Sequence, residues 1–161
     1  MKTLIIYYSF EGNTEFVADL VAQETQADVL KLEPLNEKKP KGFMKYLWGG
    51  KQVFTKAKPP LKPLGKDPMS YELLIIGTPV WANSYTPAIR SFLDKANICG
   101  KKIALFCCCQ AYQGHTFQDI KRRIPDNEFV SQIVLKDPLV RNKEANTQKV
   151  QQWCRDVLEV K

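Results

Sequence analysis

A chain of 161 residues with 44% hydrophobic side chains and a formal charge of +7 is long enough for one packed domain, here expected to span residues 1–161. Its N-terminal apolar run, TLIIYY, is too short for a signal-peptide core or a membrane span, so a cytoplasmic location is the expectation. The positive charge is local: residues 38–66 hold nine lysines and no acid, and without them the 24 basic residues fall just below the 17 acidic ones, which argues against a nucleic-acid-binding chain.

In chain order, TLIIYY reads as a strand buried on both faces, because apolar residues do not alternate with polar ones. Phe16, Val17, Leu20 and Val21 then recur at helical spacing, with Asn13 or Thr14 able to cap the start. DVLKLEP is a short alternating strand. Within the lysine-rich insertion at 38–66, FMKYLW predicts a helical turn or two that Gly49-Gly50 should end. Its Phe43, Tyr46, Leu47, Trp48 and Phe54 are expected to fold onto the sheet edge or ligand rim and hold the lysines outward.

ELLIIG is another continuous apolar strand, and TPAIRSFLDKA a helix with Pro87 in its first turn. KIALFCCC, HTFQDIKRRI, FVSQIVL and the long segment from Asn142 continue as strand, helix, strand and helix, the last with a stripe through Val150, Trp153, Cys154, Val157 and Leu158. Repeated strand-helix alternation predicts an α/β three-layer sandwich: a parallel sheet with helices on both faces. Ligands of such sheets lie beyond the carboxyl ends of the strands, where the winding reverses.

Three strand-end loops are unusual. Ser9-Phe10-Glu11-Gly12-Asn13-Thr14 offers hydroxyl and amide donors, a glycine for close backbone approach, and a helix N-terminus with free N–H groups. These suit a phosphate monoester. The chain contains neither GxxxxGK[ST] nor GxGxxG, and Gln113, Gly114 and His115 stand where a cysteine phosphatase loop needs arginine. The second loop, Thr78-Pro79-Val80-Trp81-Ala82-Asn83-Ser84-Tyr85, with its proline, tryptophan and tyrosine, and the third, Cys109-Gln110-Ala111-Tyr112-Gln113-Gly114, add aromatic walls. A phosphate cradle between two such walls suits a flat ring with a phosphate tail.

Cys107, Cys108 and Cys109 are consecutive, so neighbouring ones point to opposite faces of a strand and they cannot share a metal or a bridge. They read as buried thiols of a reducing compartment, a redox role beside a cofactor being the alternative. His115 reads as a surface or capping residue.

With these motifs in place, the chain resembles the flavodoxin family. SFEGNT resembles that family's phosphate loop, and GTPVW its flavin-stacking strand end. The resemblance implies a five-stranded parallel sheet of order 2-1-3-4-5 without a long insertion in the fifth strand. It implies FMN as cofactor, with Ser9, Gly12, Asn13 and Thr14 on the phosphate, Trp81 on the isoalloxazine and Tyr112 as a second stacker. Phe10, Glu11, Thr78, Pro79, Val80, Ala82, Asn83, Cys109, Gln110 and Gly114 complete the expected cofactor-binding set.

Glu11 replaces a threonine usual in the family, so its carboxylate should face solvent or a lysine. Familiar flavodoxins carry acids after the stacking tryptophan; the stretch from Ala82 to Thr86 has none. The expected function is electron carriage between redox partner proteins, the alternative an NAD(P)H-dependent reductase of quinones or other small acceptors. A binding module whose residues 38–66 meet an acidic partner or an anionic membrane is a third reading.

Overall fold

The computed structural model describes residues 1–38 and 40–159. Its elements are β1 (Thr3–Tyr7), α1 (Asn13–Thr25), β2 (Asp28–Lys31), α2 (Met44–Phe54), β3 (Leu73–Pro79), α3 (Pro87–Lys95), β4 (Lys102–Cys109), α4 (Thr116–Arg123), β5 (Glu128–Lys136) and α5 (Lys143–Leu158). The strands form one parallel sheet in the order β2-β1-β3-β4-β5. None of the helices among the described residues is long and apolar enough to cross a membrane.

The continuous apolar runs follow from burial on both faces. Along β1, Leu4 and Ile6 join a core cluster with Ile89 and Phe92 of α3 and Phe117 and Ile120 of α4. Ile5 and Tyr7 point the other way, toward Val17 and Val21 of α1 and Val150, Trp153 and Val157 of α5. The cysteines obey the same alternation: Cys107 belongs to the first cluster and Cys108 to the second. Each fully buried isoleucine or leucine contributes about 1.5–3 kcal/mol relative to exposure.

The insertion leaves β2 and returns along its own entrance. Leu35 N–H donates to Pro60 O at 2.7 Å and Lys62 N–H to Glu33 O at 2.8 Å, around an antiparallel bridge between Pro34 and Leu61. Helix α2 sits between the two legs of this stem.

Two expectations for the insertion need correction. Gly49-Gly50 does not end the helix; α2 runs through both glycines to Phe54. A mid-helix glycine costs up to about 1 kcal/mol, but Gly49 permits a close contact that any side chain would crowd. The Trp81 ring lies 3.3 Å from where a Cβ would stand. The large apolar side chains also divide. Trp48 turns inward onto Phe10 and Trp81, whereas Phe43, Leu47 and Phe54 face solvent, because one helix can present only one side to the body.

Candidate functional site

The ends of β1, β3, β4 and β5 and the inner side of α2 enclose a cleft of about 410 Å³, a volume ordinary for small-molecule sites. Its floor is the turn after β1. Gly12, at φ +96°, is the N-cap of α1, a left-handed conformation that glycine adopts without strain. Neither Asn13 nor Thr14 caps the helix, contrary to the sequence expectation, and no side chain caps it from the Gly12 position. Asn13 Oδ1 instead accepts from Leu139 N–H at 3.0 Å, fastening the loop after β5. Ser9 Oγ accepts from Glu15 N–H at 3.2 Å, which leaves its own proton free to donate.

Thr14 is 1% exposed, and its Oγ1 has no oxygen or nitrogen hydrogen-bond partner, only the weakly accepting Cys108 sulfur beside it. Buried hydroxyls are almost always paired, so an orphan on the wall of a cleft is a donor prepared for something that binds there. The start of α1 adds the positive end of its dipole.

The turn after β3 forms the aromatic wall. Trp81 and Ser84 exchange backbone hydrogen bonds of 2.9 Å in both directions, with Ala82 at φ +44° and Asn83 at φ +66° between them, the geometry of a type I′ hairpin turn. The Trp81 ring meets Tyr8, Phe10 and Trp48 edge-on at centroid distances of 5.8, 5.4 and 5.6 Å. Phe10 and Trp48 stack at 5.9 Å. Behind this group Tyr8 donates its phenolic proton to Glu37. Burial, and secondarily that carboxylate, push the Tyr8 hydroxyl far above the ordinary tyrosine range.

Helix α2 closes one side of the cleft. Lys45 Nζ lies 2.5 Å from Glu11 Oε1, and this hydrogen bond raises the ammonium above the usual lysine value. Tyr46 Oη accepts from Gln110 Nε2 at 3.0 Å, tying α2 to the loop after β4. The other carboxylate on the wall, Asp137, pairs with Arg141 at 3.2 Å. Both wall carboxylates are therefore compensated by a neighbouring cation.

Cys108 and Cys109 end β4 at the cleft wall. Burial pushes the Cys108 thiol up to about 12 and raises Cys109 as well, so both are protonated thiols near neutral pH. Cys107, Cys108, Cys109 and Cys154 are buried and free, and Cys99 is exposed.

Thirteen of the sixteen residues singled out from the sequence line this cleft: Ser9, Phe10, Glu11, Asn13, Thr14, Pro79, Val80, Trp81, Ala82, Asn83, Cys109, Gln110 and Tyr112. Three do not. Gly12 shapes the turn from behind. Thr78 is fully buried, donates to Pro79 O at 2.9 Å and accepts from Thr86 N–H at 3.3 Å, bracing the start of α3. Gly114 lies against Asn83, whose backbone oxygen is 2.4 Å from where a Cβ would stand, and thereby joins the second and third loops. His115, the N-cap residue of α4, is exposed, with no side-chain capping bond.

The sequence reading missed Lys45, Gly49, Gly50, Cys108, Ala111 and Asp137 on the lining, whereas Tyr46, expected at the sheet edge or ligand rim, is there. Asp137 directly follows β5, and strand-end logic applied to that strand would have reached it. The α2 residues carried one usable signal: paired glycines among aromatics mark a close approach.

A family model described as flavodoxin matches residues 2–157. Among curated proteins no match was found. The fold is similar to that of a flavoprotein from Lactobacillus acidophilus NCFM in complex with FMN, at TM-score 0.72 and 20% identity, covering 94% of this chain and 97% of the other. Oxidised flavodoxin 2 from Bacillus cereus matches at TM-score 0.62 and 20% identity over 99% of both chains. A flavodoxin, WrbA-like protein from Agrobacterium tumefaciens matches at TM-score 0.65 and 15% identity, also over 99% of both.

Proposed function

Because the chain belongs to the flavodoxin family, we propose that it binds FMN in the cleft at the strand ends and passes electrons between redox partners. The observation that carries this reading is the orphaned Thr14 hydroxyl, buried at the start of α1 on the cleft wall. A phosphate dianion supplies the strong acceptor that this proton lacks. Ser9 and the free N–H groups of the first turn of α1 add neutral donors, which bind an anion well where a helix end supplies positive potential. Bound FMN supplies one- or two-electron transfer, while the protein sets access and potential.

The chain's own residues have separable parts in this scheme. Ser9, Asn13 and Thr14 hold the phosphate end. Trp81 and Tyr112 offer flat surfaces for the ring end, and the Asn83–Gly114 contact keeps their loops at a fixed spacing. Lys45 neutralises Glu11 beside the phosphate turn. Tyr46, Gly49 and Gly50 exclude water from one side.

A second reading, an NAD(P)H-dependent reductase of small acceptors, draws support from the compensated charge of the wall. With Glu11 and Asp137 both paired, no free carboxylate on the lining repels an anionic pyridine nucleotide. Reconstitution with FMN followed by steady-state NADH and NADPH oxidation tests both readings. Failure of added FMN to quench in a fluorescence titration would end the first. Saturable NAD(P)H turnover without a protein acceptor would put the second in its place.

A further inference from the structure

The two sides of α2 have opposite fates. Its inner side, through Lys45, Trp48 and Gly49, lies on the cleft and on Trp81. On its outer side Phe43, Leu47 and Phe54 are 72, 55 and 89% exposed. Spaced four and seven residues apart, they form one stripe along the helix.

The lysines of the insertion divide along the same line. Lys45, Lys58, Lys62 and Lys66 each hold a carboxylate of the body: Glu11, Asp94, Glu33 and Asp28. Lys41, Lys51 and Lys56 are exposed and, among the described residues, have no ion-pair partner. An apolar stripe flanked by unneutralised lysines, with no acid anywhere from 38 to 66, calls for a surface that is apolar below and anionic above.

We propose that the outer side of α2 seats on an anionic lipid surface, with Phe43, Leu47 and Phe54 entering the headgroup boundary and Lys41, Lys51 and Lys56 meeting its charge. Protein docking patches concentrate tryptophan, tyrosine and arginine at their centres and are poor in lysine. This patch has its tryptophan turned inward, no arginine, and lysines around phenylalanine and leucine on a convex helix. That is the composition of an interfacial helix lying in the plane of a membrane. Tyr46 and Gly50 line the cleft from the same helix, so seating α2 holds the cleft about one helix diameter, roughly 10 Å, from the lipid. The seating itself does not depend on the redox reading and is measured without turnover.

Full-length protein saturated with FMN is sedimented with vesicles of phosphatidylcholine alone or with one-third phosphatidylglycerol. The protein is expected to bind the anionic vesicles, less at higher salt as the Debye length shortens, and to ignore the neutral ones. Lys41→Gln/Lys51→Gln/Lys56→Gln should lower partitioning roughly a hundredfold, since each lysine beside an anionic leaflet is worth about fivefold. Phe43→Ser/Leu47→Ser/Phe54→Ser should lower it at least about tenfold, with the unfolding midpoint and FMN affinity unchanged.

No binding to anionic vesicles, or equal binding by the serine variant, overturns the proposal. Polyglutamate that competes fully with vesicles and binds the serine variant equally well would assign the patch to an acidic protein and overturn it too. A concentration-dependent dimer lost in the serine variant, without vesicle binding, would assign it to a second copy.

Discussion

Glu11 Oε1 lies 2.5 Å from Lys45 Nζ, so the phosphate turn and the insertion helix, 34 residues apart in sequence, are joined by an ion pair at the cleft. For stability such a half-exposed pair contributes little, about 0–1 kcal/mol. Its effect should appear in ligand binding. Lys45→Gln leaves Glu11 uncompensated beside an incoming phosphate and is expected to weaken FMN binding by about 1 kcal/mol. Glu11→Gln frees the ammonium and should strengthen it by a similar amount. The double variant should lie near wild type. Fluorescence titration of all four proteins checks this, and a double variant that binds FMN as weakly as Lys45→Gln alone would contradict it.

Thr14→Val separates binding from folding. The hydroxyl has no oxygen or nitrogen partner in the free protein, and an unsatisfied buried polar group costs about 1–3 kcal/mol. The isosteric change should leave the FMN-free protein as stable as before or more so. FMN affinity should fall by roughly 1.5–3 kcal/mol, as for a lost hydrogen bond to a charged group. Urea unfolding of both forms provides the measurement. A destabilised free protein would show that the hydroxyl serves the fold.

The paired glycines of α2 should respond differently to alanine. Gly50 has nothing within 4 Å of a would-be Cβ, whereas Gly49 faces the Trp81 ring at 3.3 Å. Gly50→Ala is expected to stabilise by about 0.5–1 kcal/mol through helix propensity. Gly49→Ala should lose that gain against the ring and alter the near-ultraviolet dichroism of the tryptophans. Equal stabilisation by both would remove Gly49's role as a contact site.

Alkaline pH should weaken the fold through Cys108. Its thiol is raised by burial from 9.0 to about 12, so the folded state keeps a proton that the unfolded chain releases. The sign follows: this contribution is complete below pH 9 and is lost as pH rises toward about 12. The expected slope within that window is about 1.4 kcal/mol per pH unit. Burial raises Cys107 and Cys154 as well, so Cys108→Ala should lessen the alkaline loss in denaturant titrations without abolishing it. A slope unchanged in that variant would assign the loss to other groups.

The absence of acids from Ala82 to Thr86 bears on potential. With both lining carboxylates paired, bound flavin should accept its second electron at a higher potential than beside an acidic rim. Asn83→Asp restores one negative charge at the lining, expected to cost on the order of 1 kcal/mol. That corresponds to a drop of roughly 40 mV in the second one-electron couple. Spectroelectrochemical titration reads it directly, and an unmoved couple would rule out a charge effect from this loop.

The sheet was legible because burial on both faces erases alternation, as in Leu4-Ile5-Ile6, and because each apolar run stops at a turn signal. The strand-end rule found Thr14 and Trp81 for the same local reason: each lies in the turn or helix start that follows its strand. Lys45 and Gly49 were not legible. Their position depends on the Pro34–Leu61 pairing, a contact between the last residue of DVLKLEP and a proline-flanked segment that carries no strand pattern. Glycine propensity pointed to a helix end at Gly49, and the Trp81 ring overrode it. Thr78 and Gly114 sit in the right loops but face the protein, a distinction that needs side-chain direction and not just sequence position.

The stem that carries α2 closes on itself at Glu33, Leu35, Pro60 and Lys62, so the excursion begins and ends at nearly one point of the scaffold. Lengthening a loop whose ends are already pinned adds little closure entropy, about 0.6 kcal/mol per doubling. This segment can therefore change length with little strain on the parallel sheet, whereas exchanging it removes Lys45 from Glu11 and Trp48 from Phe10 and Trp81. A graft of residues 36–59 onto another scaffold of this topology would carry one wall of the cleft with it, provided that the host offers counterparts of Glu11, Phe10 and Trp81 to receive Lys45 and Trp48.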